Sequence, residues 1–239
     1  MAEGQRRRKE RCDKGQVQIT ERDIDALLWI GEQYAARFDQ LQTVLGRQAG
    51  RGAHYENWIS MSAVRLVANR WISARLVEVR KITALDPPWV WLTAQGLRQF
   101  HLPYKVYVPT LGSLAHLFAI NEVRLILEWN HPAGRWESER SLRAGLVHRK
   151  GERFPHLPDG EFGLKGQIIA IEVERSPKKP EELLENLEEL TACYAQVWYY
   201  ATRKTRSGLV EARTRLLPDA QKRLKILTSP TEDGGEKEA

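Results

Sequence analysis

Four acidic residues in the second half of the sequence are spaced so that they could share one metal ion. Glu172 and Glu174 stand two residues apart in the apolar stretch 167–174, which predicts a β-strand with both acids on one face. Asp159 precedes this strand in a Pro-Asp-Gly turn, and Glu139 comes from a predicted helix upstream. Converging carboxylates repel one another unless a cation lies between them, and Mg²⁺, or Mn²⁺ in its place, suits oxygen ligands. The predicted chemistry is activation of water against a phosphodiester, with Asp159 and Glu172 as the metal ligands.

The order of these acids resembles that of the PD-(D/E)xK nuclease fold, in which a helix Glu, a Pro-Asp turn and a Glu-x-Lys strand form the site. The resemblance implies that Asp159 and Glu172 match the family's Asp and strand acid, and that Glu139 matches the helix acid. The family's lysine helps to polarise the attacking water and falls at position 174, where this chain has Glu174.

A replacement for the missing lysine would have to come from further along the chain. Lys178 and Lys179 follow Pro177, where a bend is expected, and we take Lys178 as the catalytic candidate. Without a lysine in the site, the unit is expected to be a scaffold with little or no activity. The alternative is that Glu172 and Glu174 simply line the solvated face of an edge strand.

The elements that must position these acids lie in residues 110–228, where the pattern predicts a nuclease-like α/β unit. The predicted elements are a helix at Leu114–Trp129, a helix or turn at Trp136–Arg143, the strand at Gln167–Glu174, a long helix from Pro180 whose apolar stripe runs to Ala201, and strands at Leu209–Leu217 and Arg223–Leu227. A strand, a long helix and a further strand in sequence are typical of α/β units.

The first half, residues 19–109, is predicted to be a winged helix-turn-helix unit, because three helices precede a two-stranded ribbon. The predicted elements are a helix capped by Thr20, a short helix at Asp39–Leu45, a third helix at about Asn57–Trp71, and strands at Ala74–Val79 and Trp89–Leu92. The sequence Leu92-Thr93-Ala94-Gln95-Gly96 resembles the end of the wing in many winged-helix regulators.

The third helix is predicted to enter the major groove of duplex DNA, where Arg65 is the best candidate for a base or phosphate contact. The predicted DNA-binding residues are Ser60, Ser62, Arg65 and Asn69 on the helix, and Arg75, Arg80 and Lys81 on the ribbon. The ribbon residues are expected to contact phosphates. The alternative is a small α+β unit with no role on DNA.

Charge and composition narrow the class of protein. The chain of 239 residues carries a net charge of +6, which favours polyanionic partners such as nucleic acid. A basic arm at residues 1–18 and an acidic tail at residues 229–239 are predicted to be disordered. Cys12 and Cys193 form no disulfide framework, the histidines show no zinc spacing, and no stretch is apolar enough to span a membrane. A soluble cytoplasmic protein is therefore expected.

Both halves in their order resemble the replication-relaxation family of bacterial plasmids and mobile elements. The motifs that carry the resemblance are His116–Arg124, Trp136–Arg140, Pro158-Asp159-Gly160 and Ile171–Glu174. The expected fold class is α+β, with a winged helix-turn-helix followed by a restriction-endonuclease-like unit. The resemblance implies a DNA-binding accessory or regulatory protein that acts in replication, DNA relaxation or transcription control.

Two other functions remain open from the sequence. One is a Mg²⁺-dependent DNA endonuclease or nickase whose site is degenerate at Glu174. The other is a transcription repressor whose second half only dimerises. The expected partners are double-stranded DNA, a second copy of the chain, and other replication or mobilisation proteins, with no membrane.

Overall fold

Two β-sheets, each packed against helices, give the chain an α+β structure. The computed structural model describes residues 18–48, 59–146 and 156–231. The predicted basic arm up to residue 17, the predicted start of the third helix at Asn57, and the tail from residue 232 lie outside these ranges. Within them, no helix has both the length and the apolar character needed to cross a membrane.

The first half folds around a three-stranded antiparallel sheet. Its elements are α1 (Glu21–Glu32), β1 (Ala36–Arg37), α2 (Phe38–Gln48), α3 (Met61–Ser73), β2 (Val77–Arg80), β3 (Trp89–Leu92) and α4 (Ala94–Gln99). β3 lies between β1 and β2, with Val90 opposite both Ala36 and Val79. The predicted strand at Trp89–Leu92 is confirmed at both ends.

Several boundaries in the first half differ from the prediction. The second helix runs from Phe38 to Gln48 and so extends past its predicted end at Leu45, and two other differences have local reasons. The third helix begins at Met61 because Ser60 is its N-cap, accepting a hydrogen bond from the Ala63 backbone N–H at 3.2 Å. The first ribbon strand begins at Val77 rather than Ala74, because Arg75 takes a left-handed backbone conformation (φ 59°) that a strand does not admit.

Asp23 joins α1 to α3 and so fixes the orientation of the third helix. Its carboxylate caps α1 together with Thr20 and is fully buried. Arg70 and the indole N–H of Trp71 both donate to it, at 2.7 and 3.0 Å. The inward side of α3 is the one predicted, and its buried residues are Val64, Val67, Ala68 and Trp71.

The second half is built on a five-stranded mixed sheet. Its elements are α5 (Leu111–Asn130), β4 (Arg135–Ser138), α6 (Glu139–Gly145), β5 (Gly160–Leu164), β6 (Gln167–Glu174), α7 (Pro180–Cys193), β7 (Gln196–Ala201), α8 (Arg203–Arg215), α9 (Pro218–Arg223) and β8 (Leu224–Thr228). The strand order is β4-β5-β6-β7-β8; the first two pairings are antiparallel and the last two parallel.

Several predicted elements of the second half are wrong. Residues 135–138 form a strand rather than a helix or turn, and β5 is absent from the predicted set. The helix from Pro180 ends at Cys193; Val197 and Ala201 belong to β7, where alternate residues also face one apolar cluster and so imitate a helical stripe. The stretch 209–217 lies mostly in α8 instead of a strand.

β6 is the central strand of the sheet and is covered on both faces. Ile169, Ile171 and Val173 pack with residues of α5, while Ala170 packs with residues of α7 and α8. The alternative of a solvated face on an edge strand is therefore wrong, and any charged side chain on this strand must be accommodated inside the structure.

α5 connects the two halves because it contributes to the core of each. Leu114 and Leu117 pack with Trp89 and Trp91 of the first sheet, whereas other residues of α5 pack on β6. Arg140, at the start of α6, is buried and donates hydrogen bonds to the carbonyls of two first-half segments, Gly31 and Lys105, both at 2.5 Å.

Replacing Gly96 with Ala is expected to lower the free energy of unfolding by about 1–3 kcal/mol. α4 approaches β2 so closely that a Cβ on residue 96 would lie 2.2 Å from the Leu76 carbonyl oxygen, which is backbone and cannot rotate away. Gly112→Ala is the control, since a Cβ there meets nothing within 4 Å. Chemical denaturation of both variants tests this, and equal stabilities would contradict it.

Candidate functional site

The predicted acids do meet at one end of β6. Glu172 and Glu174 are only 4% and 7% exposed. Asp159 stands one residue beyond the last β5–β6 pair, and its Oδ2 accepts a hydrogen bond from the Val173 backbone N–H at 2.8 Å. Because this bond continues the strand pairing through a side chain, the Asp159 carboxylate is held between the two glutamate positions.

Two histidines outside the predicted set contact these acids. His116, on α5, places its Nε2 3.0 Å from Asp159 Oδ1, and His156 places its Nε2 2.9 Å from Glu172 Oε1. His156 is itself positioned by its backbone N–H, which donates to Glu189 of α7. The nearest signal in the sequence was the position of His156 three residues before Asp159, within the same irregular segment.

Lys178 contacts Glu174 of the acid cluster, in agreement with the bend that was expected after Pro177. Its Nζ lies 2.8 Å from Glu174 Oε2, so the glutamate at the family's lysine position holds a lysine from four residues further on. Lys179 instead is the exposed N-cap residue of α7. The charge that Glu174 adds to the site is therefore balanced by a neighbouring cation.

Glu139 lies at the same cavity but is held by other partners. It begins α6, and its carboxylate accepts hydrogen bonds from the Tyr34 hydroxyl at 2.5 Å and from Arg143 Nε at 2.6 Å. Its link to Asp159 is through the backbone, because its N–H donates to the Asp159 carbonyl at 3.2 Å. A cavity of about 470 Å³ adjoins these side chains and His116.

Tyr34 brings the first half of the chain to this cavity. It occupies the turn between α1 and β1 with a left-handed backbone (φ 68°), and its ring packs against Tyr107 at 4.9 Å between centroids. Burial, followed by the hydrogen bond to Glu139, raises the pKa of Tyr34. The hydroxyl therefore stays protonated and keeps donating to Glu139.

The electrostatics of the cluster follow from burial and from the closeness of the acids. Burial, followed by the charge of Asp159, raises the pKa of Glu172 to about 7. The hydrogen bond to Glu172 raises the pKa of His156. Burial lowers the pKa of His116, but the bond to Asp159 outweighs this and raises it. Burial also lowers the pKa of Lys178, but its contact with Glu174 outweighs this effect and raises the pKa.

Tyr199 adds a hydroxyl group to the buried side of the cluster. It lies on β7 directly beside Glu172 in the parallel register, and it is fully buried. Burial, followed by the charge of Glu172, raises the pKa of this hydroxyl. It has no hydrogen-bond partner among the described residues. A neutral hydrogen-bond donor that the sequence pattern did not predict therefore stands beside the buried glutamate.

The two predicted metal ligands, Asp159 and Glu172, have no third ligand grouped with them in the described part of the chain. The part of the chain that is described holds no group of three or more His, Cys, Asp or Glu side chains arranged to bind an ion. Asp159 and Glu172 are hard oxygen donors, and Mg²⁺ is usually held by one or two carboxylates with water completing its shell. The acids thus suit Mg²⁺ by type, while His116 and His156 now occupy oxygen atoms that an ion would use.

The predicted DNA-binding residues form a separate surface on α3 and the ribbon. Ser62, Arg65 and Asn69 are exposed on the outer side of α3, opposite its buried stripe. Ser60 is exposed as well, although its hydroxyl is engaged in capping.

The ribbon residues are exposed but differ in their surroundings. Arg75 lies in the turn before β2, and Lys81 follows the strand. Arg80 lies 3.8 Å from Glu78 and above the ring of Trp91. Part of its charge is therefore offset within the ribbon, while Arg75 and Lys81 form no ion pair with a described residue.

Glu172→Gln is expected to stabilise the protein at about pH 8 by roughly 1 kcal/mol or more, and to have little effect at about pH 5. The pKa of Glu172 is raised to about 7 in the folded chain from 4.5, so the folded state binds the proton more tightly. The free energy of unfolding therefore falls as pH rises through the folded-state pKa, and the neutral amide avoids this loss.

Melting temperatures at the two pH values measure the effect. The exposed Glu211→Gln on α8 serves as the control and should change stability little at either pH. A Glu172→Gln protein that is less stable than the wild type at the higher pH would contradict the prediction, because it would mean that the ionised form is the favoured one.

Comparison with known proteins adds no assignment to this site. Family models, curated proteins and solved structures were each compared with the chain, and none matches. The relationship to replication-relaxation proteins therefore remains an expectation from sequence motifs, and the function rests on the geometry of the acid cluster and of the α3 surface.

Proposed function

We propose that this chain is a duplex-DNA-binding protein whose first half is a winged helix-turn-helix unit. The observation that carries the proposal is the outer side of α3, which presents Arg65 among exposed polar residues. α3 contains no acidic residue, and Arg65 forms no ion pair or hydrogen bond with a described side chain. An exposed arginine on a helix without acids attracts phosphates and is free to contact a base edge.

The surroundings of α3 also support this function. Three helices and a small antiparallel sheet in the order β1-β3-β2 suit a winged helix, in which the third helix enters the major groove and the ribbon lies along the backbone. The buried carboxylate of Asp23 accepts hydrogen bonds from Arg70 and Trp71 and so holds the C-terminal part of α3 against α1. This contact restricts movement of α3. The resemblance of the sequence to replication-relaxation proteins extends the proposal to an accessory or regulatory role on a plasmid or mobile element.

Arg65→Ala is expected to weaken binding to duplex DNA by about 1–3 kcal/mol, or about 5- to 150-fold, because the side chain that reaches the DNA is removed. Fluorescence anisotropy with a labelled duplex at moderate salt measures the affinity. Arg98→Ala, which removes an exposed arginine from α4, is the matched control and should bind as the wild type does. Equal affinities for the two variants would contradict the assignment of α3 as the reading helix.

The acid cluster supports a second candidate function, cleavage of a phosphodiester with Mg²⁺ or Mn²⁺ in a nuclease-like unit. The specific observation is that Asp159, Glu172 and Lys178 lie in one cluster at the end of β6, from three separate positions in the sequence. The carboxylates would hold the ion, which would activate water and stabilise charge on the phosphate. Lys178 would favour the same negative charge, provided that Glu174 does not hold it.

We expect the wild type to nick supercoiled plasmid weakly, Asp159→Asn to be inactive, and Glu174→Gln to nick faster than the wild type. The last change frees Lys178 from its ion pair and removes a negative charge where the reaction accumulates one. Conversion of supercoiled plasmid to open circles in Mn²⁺ is the measurement, with Glu211→Gln as the control. If neither wild type nor Glu174→Gln cuts, and neither binds Mn²⁺ in calorimetry, this candidate is wrong.

A further inference from the structure

One segment with a large excess of basic over acidic residues lies outside the predicted DNA surface. Residues 203–225, which form α8, α9 and the start of β8, hold eight lysines and arginines but only two acids. The whole chain has 37 basic and 31 acidic residues, so outside this segment the two kinds balance at 29 each. This excess gives that region of the surface a positive potential.

Most of the cations on α8 are unpaired within the described part of the chain. Lys204, Arg206 and Arg215 are exposed, and Arg213 is partly exposed. None of these four side chains forms an ion pair or hydrogen bond with another described residue. This holds although α7, which packs beside α8, carries five glutamates. These four side chains therefore remain without a neutralising partner among the described residues, although acids stand on the neighbouring helix.

Helix stability does not explain the basic residues at the start of α8. Its first turn contains Arg203, Lys204 and Arg206 and no acid. Cations at a helix N-terminus oppose the helix dipole, which favours negative charge there. The sequence thus keeps a locally unfavourable charge arrangement, and an anion bound at this surface would offset it.

The start of α8 also lies next to the acid cluster. Thr202 and Thr205, its N-cap and third residue, donate to the backbone carbonyl of Glu174 through the Thr202 N–H at 3.3 Å and the Thr205 hydroxyl at 3.0 Å. The exposed cations of the first turn therefore begin beside the strand end that carries Glu172 and Glu174. A polyanion that follows α8 would pass close to the cavity at Asp159.

We propose that the exposed surface of α8, which carries Lys204 and Arg215 along one side of the helix and Arg206 and Arg213 along the other, is a second contact surface for the phosphate backbone of duplex DNA. The inference rests on the proposed DNA-binding function and adds to it a surface in the second half of the chain. Duplex DNA is the occupant that matches, since it supplies a dense row of negative charges and needs no apolar pocket. The acidic α7 sets the border of this surface, because it repels the same backbone.

The test compares two triple variants with equal charge changes. Lys204→Gln with Arg206→Gln and Arg215→Gln removes three cations from α8, whereas Arg98→Gln with Arg135→Gln and Lys165→Gln removes three exposed cations elsewhere. Arg135 and Lys165 lie at the end of the second sheet opposite the acid cluster. Binding of a labelled mixed-sequence duplex is followed by anisotropy across a salt series.

We expect the α8 variant to bind at least about tenfold more weakly at moderate salt, and its slope of log affinity against log salt to flatten by about 0.9 for each phosphate that is no longer neutralised. Its melting temperature should stay close to that of the wild type, since the loss of Lys204 and Arg206 removes unfavourable charges at the helix N-terminus, whereas the loss of Arg215 removes a favourable one at the C-terminus. The control variant should keep most of the affinity and slope. Equal losses of affinity in both variants, or an unchanged affinity of the α8 variant, would overturn the proposal.

Arg65→Ala, measured on the same duplex, separates this inference from the function on which it rests. If Arg65→Ala weakens binding and the α8 variant does not, the second surface is wrong and DNA binding through α3 stands. If only the α8 variant weakens binding, the surface stands and the assignment of α3 falls. A wild-type protein that does not bind duplex DNA overturns both.

Discussion

Two glutamates buried on the central strand of a sheet impose the strictest condition on this fold. A carboxylate that leaves water needs a partner, and β6 is covered on both faces, so water cannot supply one. Each acid is met instead by a side chain from a different segment: His156 contacts Glu172, Lys178 contacts Glu174, and His116 contacts the adjoining Asp159. The loop before β5, the bend after β6 and the face of α5 are therefore all placed by the need to neutralise one cluster.

The same cluster explains why the two halves of the chain are packed together. α5 carries His116 to Asp159 and also packs against Trp89 and Trp91 of the first sheet. Tyr34 reaches from the first half to Glu139, whose backbone is bonded to Asp159. A displacement of the first half would thus move both side chains at the edge of the cavity. These contacts link the first half of the chain, which carries the surface proposed to bind DNA, to the acid cluster of the second half.

The sequence predicted those parts of the structure that are determined by the spacing of residues within one segment. The buried stripe of α3, the strand at Trp89–Leu92 and the meeting of Asp159 with the end of β6 all follow from period and turn chemistry. β5 was missed because a five-residue strand with two glycines has little strand character of its own and is fixed by pairing with β4 and β6. The histidines were missed for a similar reason, since their partners lie 43 and 16 residues away in the sequence.

Charged side chains in this molecule differ in burial and in pairing. The acids of β6 are buried and paired within the fold, whereas several cations of α3 and α8 are exposed and unpaired among the described residues. The acids of β6 are buried and paired, and burial raises the pKa of Glu172, so the fold both pairs these carboxylates and disfavours the charged form of Glu172. The exposed cations Arg65 of α3 and Lys204, Arg206 and Arg215 of α8 have no partner in the described part of the chain, even where acids of α7 stand on the neighbouring helix. Burial forces neutralisation, whereas an exposed side chain in water carries no such requirement. Unpaired cations on two helices therefore add nothing to the stability of the fold. Their effect is a positive electrostatic potential that attracts a polyanion to the surface.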